Sequence, residues 1–342
     1  MICLGIESTA HTLGIGIVEG RKVLANAKSM YRPPEGQGIL PRAAADHHAQ
    51  AFNPVLRQAL SDAGVALRDI GLFSFSQGPG IGQCLRVSCT GAKFLSSVRN
   101  KPILGINHCH AHLEISRGLL GMEDPLYVYV SGANTQLIVE NREKPAAGRF
   151  SAPGRRIGNR GAGSQRFLVL GETLDMGLGN LFDVFAREAR LARQHGSEVA
   201  RLASEGRYFE LPYTVKGMNF AFAGLLTSAK RSMGERRAED IACSLLETSF
   251  AEICEAAERA LCLTGKSGMV VCGGVAQNAR FCKMLSEVCK SQGAAFGAAD
   301  PQFNADNGAM IAYTAICEWG RGKRQKLDAL KPNGYWRIDE VE

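Results

Sequence analysis

Three of the chain's seven histidines fall within five positions, in the run Gly105-Ile106-Asn107-His108-Cys109-His110-Ala111-His112-Leu113-Glu114. Crowded neutral imidazoles gain little from one another unless an ion sits between them, so the run points to metal chemistry. On a helix, residues four apart share a face about one turn apart. His108 and His112 can therefore ligate a single ion, while His110 points elsewhere. Helix capping or ordinary hydrogen bonding explains an isolated pair at this spacing at least as well, and both readings stay open at this point.

The type of metal chemistry is narrower than the spacing suggests. A zinc peptidase carries its general-base glutamate directly after the first histidine; Cys109 stands there, which disfavours metal-assisted proteolysis. The run follows Lys101-Pro102-Ile103-Leu104-Gly105-Ile106, a short β-branched strand, and leads into Ala111-His112-Leu113-Glu114-Ile115, which reads as helix. A strand-to-helix junction is a frequent setting for metal and phosphate sites.

The elements that must position this junction follow a repeated plan. From Ile2 to Val18 an apolar run, the polar turn Glu7-Ser8-Thr9-Ala10-His11-Thr12 and a second apolar run predict a hairpin. From Leu126 to Val139 the plan recurs around Ser131-Gly132-Ala133-Asn134, which reads as an internal duplication. A third strand, Met269-Val270-Val271-Cys272, ends in Gly273-Gly274-Val275-Ala276-Gln277-Asn278, a glycine turn opening a helix, where backbone amides can face a nucleotide. Helices are expected over residues 42–63, 86–98, 179–204, 240–263 and 276–292. Alternating strands and helices predict an α/β protein. The division expected is two α/β lobes, each begun by a hairpin, with a ligand cleft where the glycine turns converge.

Composition sets outer limits. With 342 residues, 45% hydrophobic and 21% charged, the chain can fill two cores and is too balanced for disorder. No apolar run reaches membrane-spanning length and no signal pattern opens the chain, so a cytosolic protein is expected, with no membrane partner. The eleven cysteines form no CxxC pair and sit mostly in apolar segments, which suits a reducing compartment. The formal charge of +7 is concentrated in residues 141–166, where seven basic residues face one acid among five glycines and two prolines. That segment reads as a loop that either contacts nucleic-acid phosphates or is a solvated insertion.

Taken in order, Glu7-Ser8-Thr9-Ala10-His11-Thr12, Ser76-Gln77-Gly78-Pro79-Gly80-Ile81-Gly82, Asn107-His108-Cys109-His110-Ala111-His112, Gly171-Glu172-Thr173-Leu174-Asp175, Gly273-Gly274-Val275-Ala276-Gln277-Asn278 and Asp306-Asn307-Gly308-Ala309-Met310-Ile311-Ala312 resemble one family. It is the universal tRNA threonylcarbamoyladenosine synthase family, TsaD in bacteria and OSGEP in animals, and the Glu-Ser-Thr-Ala-His-Thr form is similar to its archaeal and eukaryotic branch. The resemblance spans about Ile2 to Ala315 and implies the duplicated two-lobe ASKHA fold of actin, sugar kinases and heat-shock ATPases. It implies a first lobe of residues 1–125 with an inserted metal-binding helix, completed by a C-terminal helix at 306–325, and a second lobe of 126–305 carrying the basic loop.

The activity implied is metal-assisted transfer of the threonylcarbamoyl group from threonylcarbamoyl-AMP to N6 of the adenosine adjacent to the anticodon in tRNAs reading ANN codons. The metal ligands implied are His108, His112, Tyr129 and Asp306, a set that suits Zn or Fe. Adenylate contacts fall on Tyr129, Val130, Ser131, Gly132, Ala133, Asp183, Gly196 and Asn278, and Glu7, on a turn facing the cleft, is the candidate for accepting the amine proton. Plainer roles stand beside these: Tyr129 as a core tyrosine, Asp306 or Asn278 as helix caps, Glu7 as a turn residue bonding local amides. The branch implies tRNA and KEOPS-type subunits, including a small atypical protein kinase, as partners. His47 and His48 also match the pattern without an assigned role. Departures from it are Ala133 for the second glycine of the Ser-Gly-Gly-Asn-Thr turn, which costs on the order of 1 kcal/mol if that position needs positive φ, and Gln194-His195-Gly196-Ser197 with Ala200 in place of a Pro-Gly-Gly-Pro element and an acid. Competing readings are an ATP-dependent ASKHA enzyme, a carbamoyltransferase acting on another acceptor, and a non-catalytic scaffold subunit.

Overall fold

The computed structural model describes residues 1–34, 37–141 and 165–342, so the basic segment lies outside the described residues apart from Asn141, Gln165 and Arg166. The first hairpin is β1 (Ile2–Glu7) and β2 (Thr12–Glu19), extended by β3 (Lys22–Met30) and followed by α1 (Pro41–Ala63), β4 (Leu72–Gly78), α2 (Gly82–Arg99), β5 (Ile103–Asn107) and α3 (His108–Leu120). The second begins with β6 (Leu126–Val130), β7 (Thr135–Glu140) and β8 (Phe167–Glu172), then α4 (Leu178–Glu188), α5 (Gly196–Ala203), α6 (Phe222–Arg231), α7 (Ala238–Thr264), β9 (Gly268–Cys272), α8 (Ala279–Ser291), β10 (Ala295–Ala298), α9 (Pro301–Asn304) and α10 (Gly308–Gly320).

Among the described residues these strands form two five-stranded sheets, ordered β3-β2-β1-β4-β5 and β10-β9-β6-β7-β8. The duplication read from the hairpins is therefore topological: each sheet has an antiparallel hairpin, a third antiparallel strand outside it, and two parallel strands on the other flank. The alternating helices cover sheet faces whose residues are almost wholly apolar, as strands buried on both sides require. This is the duplicated α/β architecture expected of an ASKHA protein.

The equivalent helices α3 and α10, which follow the last strand of each sheet, pack against each other and reach onto the opposite sheet. For α10 the seat is made by glycines: a Cβ on Gly16 would stand 2.1 Å from the Ala309 nitrogen, and one on Gly5 2.3 Å from the Ala312 nitrogen. The hairpin can lie flush on the helix only because these strand positions carry no side chain. Both helices are capped by asparagine, Asn107 accepting from His110 N at 3.1 Å and Asn307 from Met310 N at 2.9 Å.

One expected helix is two. The apolar spacing over 179–204 continues through a break between Glu188 and Gly196, where Arg190 takes φ +52° and His195 caps the next helix, its ring accepting from Ser197 N at 3.2 Å. Periodicity carries no signal for a left-handed residue followed by a new cap.

Candidate metal centre

Where the N-termini of α3 and α10 meet, His108, His112 and Asp306 bring ligand atoms within 4.8 Å of one another. Asp306 Oδ1 stands 3.5 Å from His108 Nε2 and 3.3 Å from His112 Nε2. Asn307 takes the cap of α10 itself, which leaves the Asp306 carboxylate directed at the histidines. His110 turns away, its Nε2 3.5 Å from Glu114 and its ring 5.1 Å from that of Phe167.

Tyr129 closes the group from the second sheet. Its ring centroid is 5.4 Å from that of His112, and its buried Oη makes no hydrogen bond among the described residues. Orphaned buried polar atoms are uncommon enough to require a reason, and a shared cation is one that the phenol, imidazoles and carboxylate all fit.

Electrostatics sort the four groups. Burial opposes a charge on His108, but Glu7 and Asp306 outweigh it and hold the ring up at about 9. For His112 burial prevails over Asp306 and keeps the ring neutral to lower pH than usual. Burial also opposes the Asp306 charge, yet the two histidines hold it well below the ordinary carboxylate range. Burial, with Cys109 and Asp306 nearby, pushes the Tyr129 hydroxyl well above the usual tyrosine range. Cys109, between the histidines, is raised by burial to about 12, so it offers no thiolate at neutral pH.

Glu7 is fully buried and fully engaged. Its Oε1 accepts from Thr9 N at 2.7 Å and Thr9 Oγ1 at 2.5 Å, and its Oε2 lies 3.0 Å from His108 Nδ1. It is thus both the turn residue that bonds a local amide and the partner that orients His108, leaving Nε2 of that ring toward Asp306. His48 supports the same turn from below. The Ala10 carbonyl can only accept, so His48 donates to it through Nε2 at 2.9 Å; burial keeps His48 neutral, and its Nδ1 accepts from His47 Nδ1 at 3.2 Å. That leaves His47 Nε2 to accept from the Ser29 hydroxyl at 3.1 Å.

The residues expected to contact an adenylate line the turns beyond Tyr129. Val130 is buried at the end of β6, and the turn after it runs from half-buried Ser131 to exposed Gly132 and Ala133. Ala133 does not adopt positive φ, so the alanine costs none of the strain a left-handed position would impose. The Ser131 amide is already engaged, donating to Asn134 O at 2.7 Å, which removes it from any phosphate cradle. The turn after β9 lies beside the end of β6, its neighbour in the second sheet: a Cβ on Gly273, at φ +94°, would lie 2.3 Å from Val130 O. Asp183 accepts from Gly196 N at 2.8 Å, joining two expected contacts across the break between α4 and α5. Asn278 caps α8 through Phe281 N at 3.1 Å.

Sequence reasoning passed over four contributors. Thr9 touches both Glu7 and His108, the latter at 3.3 Å from Oγ1 to Nδ1. Asn107 sets the start of the histidine helix, and Gly177 and Gly179 let the α4 N-terminus approach the Gly132-Ala133 backbone to within 3 Å of any added Cβ. Asn107 alone carried a signal, as an asparagine directly before a histidine-rich helix.

Comparison with known proteins agrees with these observations. The family model described as tRNA N6-adenosine threonylcarbamoyltransferase matches residues 22–147 and 159–313. A tRNA N6-adenosine threonylcarbamoyltransferase of Thermococcus kodakarensis is 44% identical, covering 100% of this chain and 99% of the relative; one from Thermofilum pendens is 41% identical over 99% and 95%. A probable bifunctional tRNA threonylcarbamoyladenosine biosynthesis protein of Thermoplasma acidophilum is 41% identical, the whole of this chain matching 61% of it. Among solved structures, T. kodakarensis HypF aligns with a TM-score of 0.60 at 13% identity, over 94% of this chain and 48% of HypF, a likeness of fold.

Proposed function

This chain belongs to the tRNA N6-adenosine threonylcarbamoyltransferase family, and from that membership we propose that His108, His112, Asp306 and Tyr129 hold one divalent metal ion, Fe or Zn, beside a cleft that binds threonylcarbamoyl-AMP. The protein is an acyltransferase that forms N6-threonylcarbamoyladenosine in tRNA. We assign the acceptor as N6 of the adenosine adjacent to the anticodon in tRNAs reading ANN codons.

The observation that carries the metal reading is the meeting of ligand atoms 194 residues apart in sequence, His112 and Asp306, beside the buried Tyr129 hydroxyl, which has no hydrogen-bond partner among the described residues. The reaction attacks a mixed carbamoyl-phosphate anhydride with an exocyclic amine, so negative charge develops on the carbonyl oxygen and on the departing phosphate. When bound, the ion would supply Lewis-acid stabilisation of those oxygens. Glu7 orients His108 and stabilises its ring, and Thr9 holds Glu7. The walls made by Leu113, Tyr127 and Cys272 exclude water around Tyr129. The Gly132 amide, the Gly273-Gly274 turn, Ala133, Asp183, Gly196 and Asn278 form the nucleotide side of the cleft. We take residues 1–125 with 306–325, and 126–305, as the two bodies between which this cleft lies.

The test is reconstitution of the purified chain with tRNA, threonine, bicarbonate, ATP and an adenylate-forming enzyme, followed by nucleoside analysis and metal quantification. Alanine at His108, His112 or Asp306 is expected to abolish both the modified nucleoside and the bound metal; metal retained at wild-type stoichiometry in all three variants would overturn the site. For tRNA, neutralising Arg155, Arg156 and Arg160, which lie outside the described residues, is expected to weaken binding and flatten its salt dependence by up to about 0.9 per lost phosphate contact. We propose KEOPS-type subunits, including a small atypical protein kinase, as partners of this chain; the relatives named as probable bifunctional tRNA threonylcarbamoyladenosine biosynthesis proteins are in keeping with a partner-linked function.

A further inference from the structure

The chain after α10 runs back to the ends of β4 and β5, beside the start of the histidine helix. Asn333 N donates to Gln77 O at 2.7 Å and Gly80 N donates to Gly334 O at 3.2 Å. The Gly78-Pro79-Gly80 turn is thereby pinched: a Cβ on Gly78 would stand 1.7 Å from Asn333 O, and one on Gly80 2.6 Å from Thr9 O. Past Tyr335, the carbonyls of Trp336 and Arg337 accept from Asn107 Nδ2 at 3.0 and 3.5 Å, while the Oδ1 of that asparagine caps α3. Ile338 and Val341 then bury themselves in the cluster that contains Tyr129 and Cys109.

Those polar contacts all fall on elements of the first sheet. Arg337 reaches the second: its Nη2 donates to both Glu172 oxygens, at 3.2 and 3.0 Å, at the end of β8, and Asp339 steadies its Nε at 3.0 Å. With 39% of its side chain exposed, this pair adds little to stability as an isolated surface bridge. Its placement gives it another consequence, because the ligand set is divided between the same two bodies, with His108 and His112 on α3 and Tyr129 on β6.

We propose that Arg337 is a positioning residue: its ion pair with Glu172 latches the C-terminal strap across both sheets and sets the span between Tyr129 and the His108–His112 pair. The proposal rests on the metal reading above and concerns what holds that site in register. It predicts an effect on metal affinity that passes through Tyr129.

Zn²⁺ affinity of the full chain, measured by competition with a chromophoric chelator and with melting curves alongside, tests it. Arg337→Met is expected to weaken Zn²⁺ binding about tenfold with the melting temperature nearly unchanged, and Arg337→Lys to recover part of the loss. In a Tyr129→Phe background the same Arg337→Met change is expected to alter affinity less than about twofold, because the group it seats is gone. Equal affinity for wild type and Arg337→Met, or the same loss in both backgrounds, overturns the latch. A wild type that binds no Zn²⁺ overturns the metal reading itself and the latch with it. Should Arg337→Met fail to fold, the paired Arg337→Glu and Glu172→Arg exchange decides: binding restored in the pair over either single change supports the latch, and binding lost in all three overturns it.

Discussion

At the residue scale, Glu7 has two roles that one substitution separates. Both carboxylate oxygens are engaged, one by Thr9 and one by His108, so its geometry suits orientation of a ligand better than acceptance of a proton from substrate. Glu7→Gln keeps an oxygen for Thr9 but replaces the carboxylate oxygen that accepts the His108 Nδ1 proton, so the tautomer that leaves Nε2 free to ligate is no longer fixed. We expect metal affinity to fall about 10- to 100-fold and turnover to return toward wild type when metal is saturating. A turnover that stays collapsed at full metal occupancy would instead make Glu7 the group that accepts the amine proton.

At the scale of elements, the site depends on how closely α10 lies on the first hairpin. Gly16→Ala places a methyl 2.1 Å from the Ala309 nitrogen, against backbone that has no rotamer to change. The expected cost is about 1–3 kcal/mol of stability or more, seen in chemical denaturation, with loss of metal binding because Asp306 moves with the helix; unchanged metal affinity would show that the helix seat and the site are uncoupled. This seat also marks how far sequence reaches. The two hairpins were legible because polar turns interrupt β-branched runs, and the His108–His112 face because its spacing is that of one helical turn. Nothing in local pattern distinguishes Gly5 or Gly16 from an ordinary strand glycine, so the packing of α10 across the sheet was not readable. Capping was one of the roles open to Asp306, and the fold assigns the cap to Asn307 instead. The break before Gly196 and the C-terminal strap escaped for the same reason: each is decided by long-range contacts, and only the family resemblance tied Tyr129 and Asp306 to the histidines.

For the molecule as a whole, the two sheets are also joined by a buried charge network on the far side of α3. Arg166, beside β8, donates to Glu140 of β7 at 2.9 Å and to Glu318 of α10 at 2.7 Å, and Arg321 donates to the same Glu318 oxygen at 2.8 Å. Burial opposes the Glu318 charge, but His110 and Arg166 outweigh it and hold the carboxyl at about 2, against an unfolded value near that of an ordinary glutamate. A group depressed on folding stabilises the native state above its unfolded pKa, and that contribution fades as pH falls through the folded one; here the shift corresponds to something on the order of 3 kcal/mol. Removing the Glu318 charge takes from Arg166 one of its carboxylate partners, Glu140 remaining, and takes one from Arg321, so Glu318→Gln should be markedly less stable than wild type at neutral pH. The gap in melting temperature between the two proteins is expected to hold from pH 7 to about 5 and to narrow steadily between about 4.5 and 2, as the wild type gains the proton the variant no longer needs. A gap that stays constant into acid would mean that Glu318 contributes packing alone and that the junction between the sheets is not held by its charge.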